Sequence, residues 1–197
     1  MIKVLLLNLS PADTWDTIAR QQRSVIVVFL FYVLPLVALC GAGEAFALTQ
    51  WGTSRGALGK TMEVPAQLAI VYGMARLSLN LALVFGGAKL LQTIAVSFHT
   101  RPTYSECFTC VGYSFGPQFV FQLVNGLPVL HTWICWGVGM ILTIRLLYHG
   151  LPRLLKPDPS TAFGIYLIGA LLLTIMSAAT HFLGLVLLQE RIRLSLP

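Results

Sequence analysis

Long apolar stretches alternate with short polar ones along the whole chain. Residues 24–43 contain no Asp, Glu, Lys or Arg, and a stretch of that length is what an α-helix needs to cross the hydrocarbon core of a bilayer. Similar stretches follow, separated by segments rich in Gly, Pro and polar residues. The pattern therefore predicts five transmembrane helices, at residues 24–48, 65–88, 107–124, 129–149 and within 159–189.

The segment before the first span, residues 1–23, has the pattern of a short amphipathic helix. Ser10 and Pro11 form a helix start, because Ser caps helix N-termini and Pro suits the first helical position. Trp15 and Ile18 fall on one side of this helix, and charged residues fall elsewhere. An amphipathic helix with an aromatic residue beside a span is typical of the membrane interface. The alternative is a solvated cytosolic helix.

Composition supports the same fold class. Of 197 residues, 56% are hydrophobic and only 10% are charged, whereas a soluble domain carries about a quarter charged residues. We therefore predict an all-α, polytopic membrane protein, with a five-helix domain at residues 24–189 and no second sizeable soluble domain. The net charge of +6 does not indicate nucleic acid, because the basic residues lie at span ends. The lipid bilayer is the partner that explains them.

The distribution of basic residues predicts the topology. Cytoplasmic loops carry an excess of Lys and Arg. With five spans, the side of the N-terminus holds Lys3, Arg20, Arg23, Lys89, Arg101, Arg145, Arg153 and Lys156, and the other side holds Arg55, Lys60, Arg191 and Arg193. We therefore expect residues 1–23 in the cytoplasm, the tail at 190–197 outside it, and the protein in a plasma membrane.

The stretch Gly112-Tyr113-Ser114-Phe115-Gly116-Pro117 has two interpretations. Gly-x-Ser-x-Gly is the nucleophile elbow of serine hydrolases, but that elbow needs a strand before it, and the flanks here are apolar and helical. The favoured interpretation is a helix contact. Gly112 and Gly116 lie on one face and admit a neighbouring backbone, while Pro117 blocks the carbonyl of Tyr113 and kinks the helix. Ser114 or a neighbouring helix would satisfy that carbonyl.

Enzymatic interpretations find little support. A serine nucleophile needs a histidine within hydrogen-bond reach, yet His131 and His181 are expected at other depths than Ser114. Cys107 and Cys110 form a C-x-x-C on the cytoplasmic side, where thiols stay reduced. A zinc site needs about four ligands, and only one histidine lies near the C-x-x-C. We therefore expect no catalytic residues, no cofactor and no metal. This expectation includes the other two cysteines, Cys40 and Cys135, and His99, which is the histidine near the C-x-x-C.

Arg76 is the most informative single residue, because it lies within the second span. A charge there is costly and usually faces the bundle interior with a partner. Glu44 is the best candidate partner, since both residues lie in the outer half of adjacent spans. Asn80 follows one turn later on the same face and could join a polar network. A structural ion pair and a substrate or ion path both remain open for these three residues.

Residues 101 to 162 resemble the Yip (Ypt-interacting protein) domain membrane family, and its short bacterial members in particular. The matching features are Arg101-Pro102, Gly112-Tyr113-Ser114 with Pro117, the turn at Asn125-Gly126, Tyr148-His149-Gly150-Leu151-Pro152, and the early Pro11, Trp15 and Ile18. The resemblance implies five transmembrane helices and a cytoplasmic N-terminus. For eukaryotic relatives it implies Rab-type small GTPase partners and a role in vesicle traffic.

Together these observations favour a non-enzymatic membrane protein of the Yip-type family. Its expected work is membrane organisation, resembling trafficking scaffolds, through other membrane proteins or self-association. The alternative is a small-solute or ion transporter that uses a polar site around Glu44 and Arg76. A transporter should have a water-accessible polar cavity at Arg76, whereas an organiser should have a tightly packed bundle.

Overall fold

Helices form all the regular secondary structure in the part of the chain that the structure describes. The structure is a computed structural model, and it describes residues 11–52, 64–125 and 131–195, with side chains for 12–188 of these ranges. In chain order the helices are α1 (Pro11–Gln21), α2 (Val25–Trp51), α3 (Ala66–Ser97), α4 (Tyr104–Ser114), α5 (Gly116–Val124), α6 (Thr132–Leu154) and α7 (Pro159–Ser195).

Four of the described helices are long and apolar enough to cross a membrane: α2, α3, α6 and residues Pro159–Leu188 of α7. The predicted count of five spans is therefore not confirmed. The region expected as one span, residues 107–124, forms two shorter helices, α4 and α5, which meet at Phe115. Pro117 follows this break and cannot donate the backbone hydrogen bond that would continue the helix through it.

Two helices run further than expected. α3 ends at Ser97, about two turns past the predicted end of the second span, and His99 with a positive φ of 62° closes it. α6 continues through Gly150 and Pro152, where a stop was expected. Pro152 lies near the helix end, where unpaired carbonyls are normal, and Arg153 Nη1 donates to the carbonyl oxygen of His149 at 2.9 Å.

α2 contains a short π-helical stretch at Phe29–Val33, which the apolar pattern did not indicate. Such single wide turns accommodate an extra residue and redirect the side chains on it. Pro35 lies two residues after this stretch and lacks the N–H that would bond in the regular helix. Tyr32 and Val33 of this stretch are buried, and both contact α4.

α1 packs on the bundle, and its apolar face is covered by protein. Trp15 is fully buried and Ile18 is 4% exposed. This face therefore lies neither toward lipid, as an interfacial helix would place it, nor in water, as a solvated helix would. Gly150 of α6 provides the space: a Cβ there would lie 2.7 Å from Cζ2 of Trp15. Asp16 Oδ1 accepts a hydrogen bond from Arg153 Nε at 2.8 Å. Ser10, the expected cap, lies outside the described residues.

α4 lies in the middle of the bundle. Every residue from Cys107 to Ser114 is buried, and α4 packs against α3, α6 and the start of α2. Thr103 caps α4 by a reciprocal pair of hydrogen bonds with Glu106. The T-x-x-E pattern in the sequence indicates such a capping box. α3 also packs on α2 and α7, and α6 on α5, α1 and α7. Large apolar side chains cover the outer surface, among them Phe31, Met74 and Ile141.

Candidate functional site

Arg76 of α3 and Glu44 of α2 form a buried ion pair. Nε of Arg76 lies 2.9 Å from Oε2 of Glu44, and Nη2 lies 3.3 Å from Oε1. The guanidinium thus meets both carboxylate oxygens, the two-point geometry that suits Arg. The two residues are 2% and 6% exposed. The structure therefore brings together the two charged residues that the sequence singled out within its spans.

Two glycines set the distance between the helices that carry this pair. Gly41 and Gly73 each lie three residues before the charged residue on their own helix, and they face one another. A Cβ on Gly41 would lie 2.9 Å from the carbonyl oxygen of Gly73, and a Cβ on Gly73 would lie 2.8 Å from that of Gly41. Any larger residue would separate the backbones. The ion pair therefore forms one turn from a close approach of α2 and α3.

α7 closes the site from a third side. Arg76 Nη1 donates to the carbonyl oxygen of Thr180 at 3.3 Å. Gly184 lies over the guanidinium, since a Cβ there would be 2.6 Å from Nη1 and 2.9 Å from Cδ. Sequence reasoning missed both α7 residues. A glycine in an apolar span indicates some close contact, but nothing in the pattern indicates that the contact is Arg76.

Asn80 does not join the ion pair. Its Nδ2 donates to Oε1 of Gln122 on α5 at 2.9 Å, so the third predicted residue of this site connects α3 to the broken helix instead. Gln122 was not singled out from the sequence. Its spacing from Ser114 and Gln118, four residues at each step, is the signal that could have found it, because such positions share one helix face.

A small cavity lies between α3 and α7, one turn from Arg76. Its volume is about 60 Å³, and it is lined by Leu68, Val71, Tyr72, Ala75, Leu187 and Leu188. Apart from Tyr72, these side chains are aliphatic, and the Tyr72 hydroxyl is the only polar side-chain group among the six. Water needs polar partners as well as room, so this lining is poorly suited to carry water toward the ion pair.

The stretch from Gly112 to Pro117 lies at a helix contact with a break. A Cβ on Gly112 would lie 3.1 Å from a methyl carbon of Val33 in α2. The Tyr32 ring packs against the Tyr113 ring with centroids 4.2 Å apart and a tilt of 42° between the planes. The Tyr32 hydroxyl lies 3.5 Å from the Tyr113 carbonyl oxygen that Pro117 leaves free. That distance makes it a long hydrogen bond.

The remaining members of this stretch are buried. Ser114 ends α4, and Gly116 begins α5. The full six-residue stretch thus joins the two short helices, and none of its described side chains reaches the surface. A serine nucleophile must be open to its substrate, and Ser114 is 1% exposed.

The histidines proposed as partners of Ser114 lie elsewhere. His131 caps the start of α6. His181 of α7 lies beside the rings of Trp133 and Trp136, with centroid distances of 5.0 and 6.3 Å. Both histidines therefore belong to the end of the bundle where α6 begins. Ser114 belongs to the middle of the bundle, so the structure does not assemble a dyad.

The four cysteines are buried and free of disulfides. Cys107 and Cys110 lie on α4, and Cys40 Sγ donates to the Phe119 carbonyl oxygen at 2.8 Å. Within the described ranges no group of three or more His, Cys, Asp or Glu residues is arranged to hold a metal ion. His99 follows the end of α3 and joins no such group among the described residues.

Comparison with known families agrees with this arrangement of apolar helices. A family model described as the Yip1 domain matches residues 4–181. The chain belongs to the Yip1 domain family. No curated protein and no solved structure matches it at a significant level of sequence similarity.

The match extends from within the N-terminal segment to His181 in α7. The Yip1 domain here therefore includes α1, the Glu44–Arg76 pair and the broken helix. Membership and the apolar helices together identify an integral membrane protein, and the Yip1 domain is not a known enzyme family.

Proposed function

We propose that this Yip1-domain protein crosses the membrane five times, with α4 and α5 together forming the third crossing. Residues 104–124 rise roughly 30 Å as a nearly continuous helix at 1.5 Å per residue, which is about the thickness of the hydrocarbon core. Their burial explains why the two pieces need not be long apolar spans: protein covers them on most sides.

This topology places the start of α1 and the end of α7 on opposite sides of the membrane. With five crossings, the side of α1 would hold the exposed basic residues of the described region, which supports a cytoplasmic α1; they are Arg20, Lys89, Arg101, Arg145 and Lys156. We propose a bacterial plasma membrane as the location, with residues 1–23 inside and 190–197 outside.

Reporter fusions at the two termini test the topology. A cytoplasm-active reporter should work before Met1, and a reporter that needs export should work after Pro197. Activity of the same reporter type at both termini would contradict five crossings and leave four.

For its work we propose membrane organisation: holding other membrane proteins, or further copies of itself, through its outer surface. The observation that carries this proposal is the enclosure of Arg76. Its donors meet Glu44 and the Thr180 carbonyl, and Gly184 covers it. A mid-membrane charge whose donors are engaged with two other helices supports a structural role more than an offer to a solute.

A packed bundle leaves the outer surface as the place for interactions. Side chains such as Phe31, Met74, Ile141, Phe163 and Phe182 are more than half exposed. In a membrane they face lipid or another protein. A scaffold should have one face where protein replaces lipid, because packing between membrane helices depends on a particular complementary surface.

Photo-crosslinking tests the scaffold against the transporter. A photoreactive amino acid would replace Phe31, Met74, Ile141, Phe163 or Phe182 singly, in native membranes. A scaffold should give discrete protein adducts from one or two of these positions and lipid adducts from the others. The same membrane protein, or a second copy of this chain, should recur in the adducts.

Transport would give a different result. The alternative function, small-solute or ion transport at Glu44 and Arg76, predicts lipid adducts at all five positions. It also predicts solute flux in proteoliposomes that is lost in Glu44→Gln. Both results together would overturn the scaffold proposal. Small GTPase binding rests on family analogy, and a pull-down with purified GTPases would test it separately.

A further inference from the structure

The interface between α5 and α6 is polar in the middle of the bundle. Gln118 of α5 is fully buried and packs against Gly139 of α6, where a Cβ would lie 2.5 Å from its Oε1 and 3.0 Å from its Cα. Burying an amide side chain in such a place costs free energy unless its hydrogen bonds are made. The contact with Gly139 supplies space but no donor or acceptor from a side chain.

The register of the two helices places other polar residues in the same interface. α5 and α6 are packed neighbours joined by a short connection, so they run antiparallel. With Gln118 level with Gly139, Ser114 is level with Thr143, and Gln122 is level with Cys135. All of these residues are buried. Polar or small residues therefore lie against α6 over three successive turns, from Ser114 at the end of α4 to Gln122 in α5.

Several polar atoms in this interface are unpaired. Neither Oε1 nor Nε2 of Gln118 has a hydrogen-bond partner among the described residues, and the same holds for Oγ1 of Thr143 and Oγ1 of Thr132. Exchanging the amide oxygen and nitrogen of Gln118 would change nothing, because both atoms are unpaired. A membrane interior offers no bulk water to such groups, so a small ligand with both donors and acceptors would stabilise them.

We propose that the α5–α6 interface is a water-binding cleft, which water enters at the Thr132 end and fills as far as Gln118 and Thr143. Water is the ligand whose size and hydrogen bonding fit, since it can donate to an amide oxygen and accept from an amide nitrogen in the same site. The close approach of Gly139 and Gln118 keeps the interface narrow, which favours water over a larger solute.

The two ends of the interface explain the direction of entry. Thr132 is in the first turn of α6, next to the exposed His131 and the 42% exposed Trp133. Beyond Thr143, Leu146 and Leu147 are each 1% exposed and close the path with apolar side chains. The cleft is therefore open on one side only, and it does not form a channel. It does not depend on the proposed scaffold role.

Hydroxyl-radical footprinting in ¹⁸O-labelled water tests the cleft in the full chain, reconstituted in lipid nanodiscs. Radicals formed in bound water oxidise adjacent sulfur atoms within their short lifetime, and mass spectrometry locates the added ¹⁸O. The chain supplies matched native probes. Cys135 lies in the proposed cleft, whereas Cys40 and Cys107 lie in the apolar core, and all three are at most 4% exposed. Cys135 should be oxidised several-fold faster than the other two.

A second probe tests how deep the water reaches. Ser114→Cys places a thiol level with Thr143 by a minimal change, and we expect its oxidation to exceed that of Cys107 several-fold. Adding Thr143→Val, which removes a hydroxyl at almost constant shape, should lower that rate. Gln118→Leu should lower it to the level of Cys107.

Three results would overturn the proposal. Oxidation of Cys135 and of the Ser114→Cys thiol at the slow rate of Cys40 and Cys107 would mean that the interface is dry. Fast oxidation of Cys135 alone would mean that water stops at the mouth. Unchanged rates after Thr143→Val and Gln118→Leu, in variants that elute and melt like the parent, would mean that these groups do not hold the water.

Discussion

The Glu44–Arg76 pair yields a prediction about stability. It distinguishes two charges that stabilise each other from two charges that merely lie close together. The perturbations are Glu44→Met, Arg76→Met and the double substitution, because Met is close in length to both side chains and adapts to irregular space. Each single change leaves one charge in a site where the pair is at most 6% exposed. The double change leaves none.

The magnitudes follow from that difference. Removing one partner of a buried pair costs about 3–5 kcal/mol, whereas replacing both by apolar residues is often neutral or stabilising. A total unfolding free energy of about 5–15 kcal/mol makes either single change severe. Glu44→Met should be the worse one, because Arg76 stays charged, whereas a stranded Glu44 can take up a proton and become neutral. Gly184 and Thr180 also remain fitted to the guanidinium in Glu44→Met.

Unfolding of the purified variants by denaturing detergent in mixed micelles measures these free energies, and the amount of each variant in membranes provides a second readout. Lys89→Met is the matched control, since Lys89 is an exposed cation on the same helix α3, and it should change stability by less than about 0.5 kcal/mol. We expect a favourable coupling energy of about 2 kcal/mol or more in the double-mutant cycle. A double variant that loses the sum of the two single losses would refute the reasoning.

Two further predictions concern helix contacts. Gly112→Leu should lower the thermal stability markedly, because Val33 already lies 3.1 Å from the position of a Cβ. Ser114→Ala should lower it only slightly, since hydrogen bonds between membrane helices average well under about 1 kcal/mol. A fluorophosphonate label that disappears in Ser114→Ala would instead identify an enzyme. Gly150→Leu should displace Trp15 and detach α1, which faster proteolysis within residues 11–21 would report; a protease pattern equal to that of the parent chain would contradict the docking of α1.

The broad fold follows from local properties of the sequence. Apolar length and the near absence of charge predicted the helices at α2, α3, α6 and α7, because a bilayer imposes both requirements on any segment that crosses it. Pro117 predicted the break near Phe115, because a missing N–H acts on its own helix. The rarity of charge within a span likewise singled out Glu44 and Arg76 as partners.

Residues far apart in the chain decided the rest. Because Gly150 has no side chain, Trp15 can pack against α6 and is buried there. The sequence of α1 alone has the pattern of an interfacial helix. Gly184 and Thr180 became part of the Arg76 site, and Asn80 turned to Gln122, only through the way α7 and α5 pack. Periodicity along one helix shows which side chains share a face. It contains no information about what the neighbouring helix places opposite them, and that information exists only in the packed bundle.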